Sequence, residues 1–230
     1  MDAEWLKRYA PYLYFDKKEP FYPLRVGWTV LDSPGRSPSF PRDLYFDGRK
    51  IKFVIEYAIY WHFDIGHLYE LEHVWVYLDH AGRVADCEAS FHGRYLKGLL
   101  KDRSNLADDT HVELYSQPGK HAFSPLPQLF ELLPGFAAAT LDDAGRDGLC
   151  VTGVARGRYE TDPETDRLVR RYLQQYRFQP SLEFQKYVIA EQLLVPWPEL
   201  DQAIPGWIAA QLAEIRRSIG EPPGKAGCGA

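Results

Sequence analysis

Cysteine is scarce in this chain of 230 residues, and its spacing excludes two kinds of site. The three cysteines, Cys87, Cys150 and Cys228, lie far apart, so no C-x-x-C pair exists for a zinc ribbon or a dithiol redox motif. Their odd number also argues against a disulfide framework. We therefore expect reduced thiols and a cytoplasmic protein.

Three further sequence patterns are not found: a signal-peptide pattern, an apolar run of membrane-spanning length and a long basic run. Its first residues show no basic stretch followed by an apolar one, so no signal peptide is predicted. The apolar runs are far shorter than the ~20 residues that a transmembrane segment needs. Because the formal net charge is -5 and no long run of Lys or Arg exists, nucleic acid is not an expected partner.

Histidine is missing from both ends of the chain. All seven histidines lie between His62 and His121. Within this part, residues 66–73 read Gly-His-Leu-Tyr-Glu-Leu-Glu-His and place two carboxylates and two imidazoles close together. This clustering predicts one chemical centre, a divalent metal site.

Aromatic residues are abundant, at 14% of the chain, and they favour a strand-rich protein. Alternating β-branched and aromatic residues predict strands that are joined by turns at residues 64–66 and 79–82. The predicted strands are 51–62, 70–78, 84–91 and 111–115. The first three are expected to form an antiparallel meander.

Apolar residues at helical spacing predict two longer helices. One includes residues 168–176 and has Thr165 or Asp166 as its N-cap, and the other covers residues 201–219 and stops at Gly220. Short helical segments are expected near the N-terminus and at residues 94–101 and 127–133. Residues 32–43 are rich in Pro, Ser and Gly and predict a surface loop.

These elements together predict a mainly β fold. We expect a two-sheet antiparallel β-sandwich with peripheral α-helices, including a C-terminal helix that packs on a sheet. Residues 1–220 are expected to form a single domain, and residues 221–230 a disordered tail.

The acidic pair in the second strand carries the metal hypothesis. Side chains two residues apart in a strand face the same way, so Glu70 and Glu72 would share one face. Two neighbouring carboxylates repel each other, and burying them is costly unless a cation lies between them. His67 and Asp64, from the preceding turn, would reach the same cation. Such a donor set suits Mg²⁺, Ca²⁺ or Mn²⁺, and Zn²⁺ is an alternative.

A simpler interpretation of the same residues stays open. Glu70 and Glu72 would then be solvated residues at the end of a strand, and His67 a loop residue. We expect His62 and His73 to be packing or surface residues rather than ligands. His92 ends the third strand and would lie near the rim of the acidic pair.

Residues 66–72 resemble the heptapeptide Gly-His-Arg-His-Asp-Trp-Glu of the necrosis-inducing cytolysin family. A group of vacuolar-sorting-associated proteins shares this pattern and has openings similar to residues 9–11, Tyr-Ala-Pro. Further segments resemble the family in order, and they are residues 60–64, 72–76, 89–95, 111–115 and 119–122. The resemblance covers roughly residues 50–125.

This resemblance implies a β-sandwich flanked by helices, with a calcium or magnesium ion in an acidic cavity. The positions that match the family's ligands are His67, Glu70 and Glu72, with Asp64 as a fourth. His92 and His121 would line the cavity. Among its departures from the heptapeptide, the chain carries Tyr69, Glu70 and Leu71 where the family has His, Asp and Trp.

Three functions are compatible with such a site. The first is a metal-dependent binding protein whose cavity recognises a small polar ligand, such as a sugar or a glycolipid head group. The second is a hydrolase in which the cation activates water and His92 or His121 transfers protons. The third is a structural or partner-binding sandwich with a vestigial site, which a cavity filled by side chains such as Tyr69 would favour.

Overall fold

Strands dominate the computed structural model, which describes residues 2–152 and 156–219. The fold is therefore mainly β, as predicted. The strands of the described residues are β1 (Tyr12–Asp16), β2 (Arg25–Leu31), β3 (Gly35–Arg36), β4 (Asp43–Leu44), β5 (Ile51–Phe63), β6 (His67–Asp79), β7 (Val84–Phe91), β8 (Arg94–Lys97), β9 (Leu106–Ala107), β10 (His111–Ser116), β11 (Phe123–Ser124), β12 (Gly148–Leu149), β13 (Phe184–Val188) and β14 (Leu194–Pro196).

The helices include the predicted C-terminal one. They are α1 (Ala3–Tyr9), α2 (Gln128–Glu131), α3 (Phe136–Ala139), α4 (Pro163–Leu173) and α5 (Trp197–Ser218), with 3₁₀ turns at Gln174–Tyr176 and Glu191–Leu193. Helix α5 begins earlier than predicted because proline is accepted in the first turn of a helix. The predicted stop at Gly220 and the predicted tail at residues 221–230 lie outside the described residues. No helix of the described part combines the length and apolar character that crossing a bilayer requires.

The strands form two larger sheets and one small ribbon. One sheet has the order β11-β10-β1-β13, and β9 pairs with β10. The other has the order β14-β2-β5-β6-β7-β8, and β12 pairs with β6. The sheets are largely antiparallel, as predicted, but β1–β10, β6–β12 and β2–β14 are parallel pairs. These strands are far apart in sequence, so no tight hairpin imposes an antiparallel arrangement on them.

The antiparallel meander of β5, β6 and β7 is confirmed. Strand β6 begins at His67 rather than at residue 70, so His67 belongs to the strand and not to the turn before it. The prediction of helical turns at residues 94–101 is wrong. His92 and Gly93 both have positive φ, of 50° and 73°, and they reverse the chain into β8, which pairs with β7.

Residues 32–43 are only partly a surface loop. Ser37 and Ser39 are buried, and Phe40 packs edge-on against His73 and Trp75 at centroid distances of 5.0 and 5.2 Å. The sequence suggested a surface loop because it is rich in Pro and Ser, but the aromatic ring of Phe40 anchors the segment to β6. This loop therefore covers part of the sheet beside the acidic residues.

The sheet that contains β5 and β6, the large sheet, is covered on both faces. One hydrophobic cluster contains residues of both larger sheets: Leu13 and Leu114 come from the sheet with β1 and β10, and Ile55 and Val76 come from the large sheet. A second cluster joins the opposite face of the large sheet to α4 and α5. Side chains of β5 and β6 thus belong to hydrophobic clusters on both faces of the sheet, and these clusters hold the strands on either side of the turn at residues 64–66.

The N-cap of α4 is Asp162, and the prediction of Thr165 or Asp166 is wrong. The Asp162 side chain accepts a hydrogen bond of 2.7 Å from the backbone N–H of Thr165. Asp166 instead accepts a hydrogen bond from the backbone N–H of Leu149 at 3.0 Å, so it ties the helix to β12.

We expect Asp162→Ala to lower the free energy of unfolding, because it leaves a helical N–H without its acceptor. For a chain of this size the melting temperature would fall by roughly 2–4 °C in thermal unfolding followed by circular dichroism. Asp162→Asn keeps an acceptor and should lose less. Glu164→Ala, at an exposed position in the same turn, is the control. Equal losses in the three variants would contradict this assignment of the cap.

Candidate metal centre

A gap in the large sheet exposes the acidic part of β6. The pairing of β6 with β7 reaches only to Val74, opposite Ala89, and β12 pairs with His67 and Leu68. Between them, no strand that the structure describes pairs with residues 69–73 on that side of β6. A cavity of about 690 Å³ opens at this gap. Its lining includes Asp64, His67, Glu70, Glu72, His92 and Lys120.

Asp64 is the fully buried carboxylate of this cavity. Its Oδ1 accepts hydrogen bonds of 2.6 Å from the backbone N–H groups of Gly66 and His67. Its Oδ2 pairs with the Lys120 ammonium, whose Nζ lies 2.5 Å away. Burial acts to raise the pKa of Asp64, but the neighbouring His67 ring and the Lys120 ammonium together outweigh it and hold the pKa below its usual value. Asp64 is therefore an anion with one oxygen that faces the cavity wall.

The ring of His67 has a defined tautomer. Its Nδ1 lies 2.9 Å from the backbone carbonyl oxygen of Tyr69, which only accepts, so Nδ1 carries the proton. Burial lowers the pKa of His67, which favours the neutral ring. The lone pair is then on Nε2, which lies 3.4 Å from Asp64 Oδ2 and 3.5 Å from Glu70 Oε2. This is the state in which histidine binds a metal.

The spacing of these donors suits a shared cation. One ligand atom each of Asp64, His67 and Glu70 lies within 4.8 Å of the others. Donors bound to one ion at about 2.0–2.6 Å are no more than about 5 Å apart, so this spacing is compatible with a common ligand set. Burial and the charges of Glu72 and Asp64 raise the pKa of Glu70 well above its usual value. An added cation would relieve this repulsion.

Glu72 lines the cavity but lies outside this three-residue cluster. Its carboxylate accepts a hydrogen bond from the Ser90 hydroxyl. Burial raises the pKa of Glu72 to about 7, although the Ser90 hydrogen bond opposes the shift. Glu72 is thus held beside Asp64, His67 and Glu70, and it is partly protonated near neutral pH.

The structure places His92 in the lining of the cavity, and its Nε2 lies 2.7 Å from Gln117 Oε1. The expectation for His121 is wrong. His121 is fully buried, stacks on Trp61 at 4.6 Å, and directs Nε2 toward Glu19 Oε1 at 3.2 Å. Because Glu19 also accepts a hydrogen bond from the backbone N–H of Gly119, this pair supports the turn at residues 117–122 from beneath.

Lys120 is the residue of the site that the sequence interpretation missed. It lies on the same turn, and its Nζ is 3.8 Å from Asp147 Oδ2 as well as 2.5 Å from Asp64 Oδ2. The one sequence feature that could have indicated Lys120 is its position beside His121, in the segment at residues 119–122. Strand pairing within the meander gave no reason to bring that turn to Asp64.

No family model, curated protein or solved structure matches the chain. The resemblance to the necrosis-inducing cytolysin family therefore rests on the segments quoted above and stays a prediction. The proposed function depends on the geometry of the cavity.

Tyr69 does not fill the cavity. Its ring packs toward Tyr60 and Tyr159 at centroid distances of 6.1 and 6.0 Å. Its φ of 76° is unusual for a bulky residue and costs on the order of 1–3 kcal/mol. The strained residue lies between His67 and Glu70, and its carbonyl fixes the His67 tautomer. The backbone strain thus lies at the residue whose carbonyl oxygen orients the His67 ring.

The two histidines that we expected to be packing residues both make ring contacts. His62 lies 3.0 Å from the Tyr60 hydroxyl and edge-on to Trp207. His73 is buried, lines the cavity and stacks on Trp75 at 5.5 Å. Burial lowers the pKa of His73 to about 3, even though the Ser39 backbone acts to raise it. His73 is therefore neutral in the folded protein.

We expect His73 to make the metal-free protein acid-sensitive. Its pKa is lower in the folded state than the usual 6.5, so its contribution is present above pH 6.5 and is lost as the pH falls below that value. Between pH 7 and pH 5, wild type should lose about 2 kcal/mol more stability than His73→Phe. Urea unfolding in EDTA at each pH measures the difference. His80→Gln, which removes an exposed imidazole, is the control; parallel curves for wild type and His73→Phe would refute the assignment.

Proposed function

We propose that the protein binds a divalent cation and uses it to hold a small polar ligand in this cavity. Asp64, His67 and Glu70 would be ligands, and Glu72 would complete the donor set. The observation that carries the proposal is the orientation of His67. Its proton is held by the Tyr69 carbonyl, and its lone pair faces two carboxylates at distances too long for hydrogen bonds.

The chemistry of the donors favours a hard cation. Carboxylate oxygens outnumber the single imidazole nitrogen, which suits Mg²⁺ or Ca²⁺. Mn²⁺ accepts the same set, whereas Zn²⁺ more often recruits further His or Cys ligands. Cys150 lines the cavity, but burial raises the pKa of its thiol to about 12, so a thiolate ligand is disfavoured.

The size and lining of the cavity support a small ligand. About 690 Å³ falls within the range of roughly 300–1,000 Å³ that is typical of small-molecule sites. The charged side chains are joined in the lining by apolar ones such as Phe40 and Leu71. A cation with open coordination positions would bind ligand hydroxyls, and the apolar wall would pack against a ring. A sugar or a glycolipid head group meets both requirements.

We also infer that the two larger sheets face each other as the predicted sandwich. The supporting observation is the hydrophobic cluster that both sheets share, with Phe15 and Phe123 from one sheet and Trp61 from the other. The turn at residues 64–66 would then lie at one end of the sandwich. A binding site on a loop at the end of two packed sheets is held in position by the sheets themselves.

A metal-dependent hydrolase is the second candidate, and His92 favours it. Gln117 Oε1 is an acceptor, so the proton of His92 resides on Nε2 and the lone pair on Nδ1. Burial lowers the pKa of His92, which keeps the ring neutral and able to act as a base. Turnover of a panel of phosphoester, ester and glycoside substrates that requires both Mg²⁺ and His92 would favour this candidate over simple binding.

We expect wild type to bind one Mg²⁺ or Ca²⁺ per chain and Glu70→Gln to bind it at least tenfold more weakly, because a neutral amide is a poorer ligand for a hard cation. Isothermal titration calorimetry after EDTA treatment and dialysis measures the affinity, and elemental analysis of metal-loaded protein gives the stoichiometry. Glu183→Gln is the matched control, since Glu183 is exposed and pairs with Lys17 at the surface.

The proposal fails if wild type shows no saturable binding at millimolar Mg²⁺ or Ca²⁺, or if Glu70→Gln binds as well as wild type. Ligand recognition is tested separately with methyl glucosides in saturation-transfer NMR. Their signals should require the divalent ion and disappear in EDTA. Binding that is equal with and without metal would remove the cation from ligand recognition.

A further inference from the structure

Lys120 occupies the place where a cation would approach Asp64. Its Nζ lies 2.5 Å from Asp64 Oδ2, and this is the same oxygen that His67 Nε2 faces at 3.4 Å. The Lys120 side chain is only 16% exposed, so its charge is largely withdrawn from water. The ammonium therefore neutralises the buried carboxylate from within the cavity.

A divalent ion and this ammonium would compete for one oxygen. Asp64 Oδ1 already accepts two backbone hydrogen bonds, so Oδ2 is the oxygen left for a ligand bond. An ion bound to Oδ2 at about 2.0–2.6 Å would lie no more than about 5 Å from the ammonium in its present place. Two positive charges at that separation in a desolvated site repel each other strongly.

We propose that Lys120 is the resident cation of the metal-free site, that a divalent ion must displace it, and that Lys120 thereby limits the metal affinity. The inference rests on the proposed function, since it concerns the same ligands. It adds a residue that sets the affinity and is not itself a ligand.

The chain around Lys120 permits a movement of the side chain alone. The turn that carries it is anchored, because Gly119 donates a backbone hydrogen bond to the buried Glu19 at 2.7 Å and Lys120 N–H bonds to Gln117 O at 3.0 Å. Lys120 also lines the cavity, so its long flexible stem has open space to enter. Displacement of the ammonium therefore needs no refolding of the turn.

Gly66 allows Lys120 to reach Asp64. A Cβ atom on residue 66 would lie 2.5 Å from Lys120 Nζ, closer than any normal contact. The φ of Gly66 is outside the left-handed region, so alanine is acceptable to the backbone there. The same Cβ would lie 3.1 Å from Asp147 Oδ2 and 3.3 Å from Asp64 Oδ1, contacts that a shift of a few tenths of an ångström relieves. Gly66→Ala would thus expel the ammonium while keeping the charge of Lys120 and the identity of every proposed ligand. It is an independent route to the same effect as removing Lys120.

The test measures the affinity of Mg²⁺ and Mn²⁺ by calorimetry in wild type, Lys120→Met, Gly66→Ala and the double variant. Each single variant should bind the metal at least about tenfold more tightly than wild type. The double variant should gain little more, because both changes remove the same competitor. Lys97→Met is the control, since Lys97 pairs with Asp86 and Glu88 at the surface, and it should bind as wild type does.

The outcomes separate this inference from the proposed function. Tight binding in Lys120→Met or Gly66→Ala with no binding in wild type would support the role of Lys120 and reject the proposed function of the natural chain. Equal or weaker binding in folded Lys120→Met and Gly66→Ala would overturn the inference and leave the proposed function intact. Absence of binding in every variant rejects both. Circular dichroism verifies folding, and if Lys120→Met fails to fold, Gly66→Ala decides.

Discussion

The buried carboxylate of Asp64 is the constraint on which the rest of the site depends. A desolvated charge is costly unless hydrogen bonds and opposite charges compensate it. Here the turn between β5 and β6 supplies two backbone N–H groups to one oxygen, and Lys120 supplies a positive charge to the other. The turn at residues 117–122 must therefore lie against the turn at residues 64–66, and the backbone N–H of Ile65 indeed donates to Gly119 O at 2.6 Å. Two segments distant in sequence meet because of one charge.

The gap in the large sheet explains why these charges remain open to a cavity. If β7 continued alongside β6, residues 69–73 would be covered and their carboxylates paired or expelled. Instead the chain reverses at His92 and Gly93, and β12 pairs only with the first residues of β6. The unpaired backbone there is satisfied by side chains: Ser90 Oγ accepts from the N–H of His73, and Glu70 accepts from the N–H of Leu71. One of these side chains, Glu70, also lines the cavity.

Sequence patterns predicted the parts of this fold that depend on neighbours along the chain. Strands β5 and β7 and the turn between β5 and β6 follow from local alternation and turn residues, and Asp64, His67 and Glu70 could be proposed as ligands because they lie within that one hairpin. Sequence patterns did not predict the contacts between segments that are distant along the chain. Lys120 arrives from another turn, His121 faces a buried glutamate instead of the cavity, and the parallel pairs join strands that no hairpin connects. The 32–43 loop was misjudged for the same reason, since Phe40 packs on rings of β6.

The cost of the site argues against a vestigial role. Glu72 is buried and the Glu70 side chain is only 12% exposed, burial raises the pKa of both, and Tyr69 is strained. Each feature opposes folding, and apolar residues at the same positions would pack in the gap without that penalty. The sheets have no need of them, because the hydrophobic clusters on both faces of β5 and β6 are formed by other side chains. These features weaken the fold and converge on one open cavity. A cation bound there, as proposed, would remove the electrostatic repulsion between the carboxylates and so offset that part of the cost to stability.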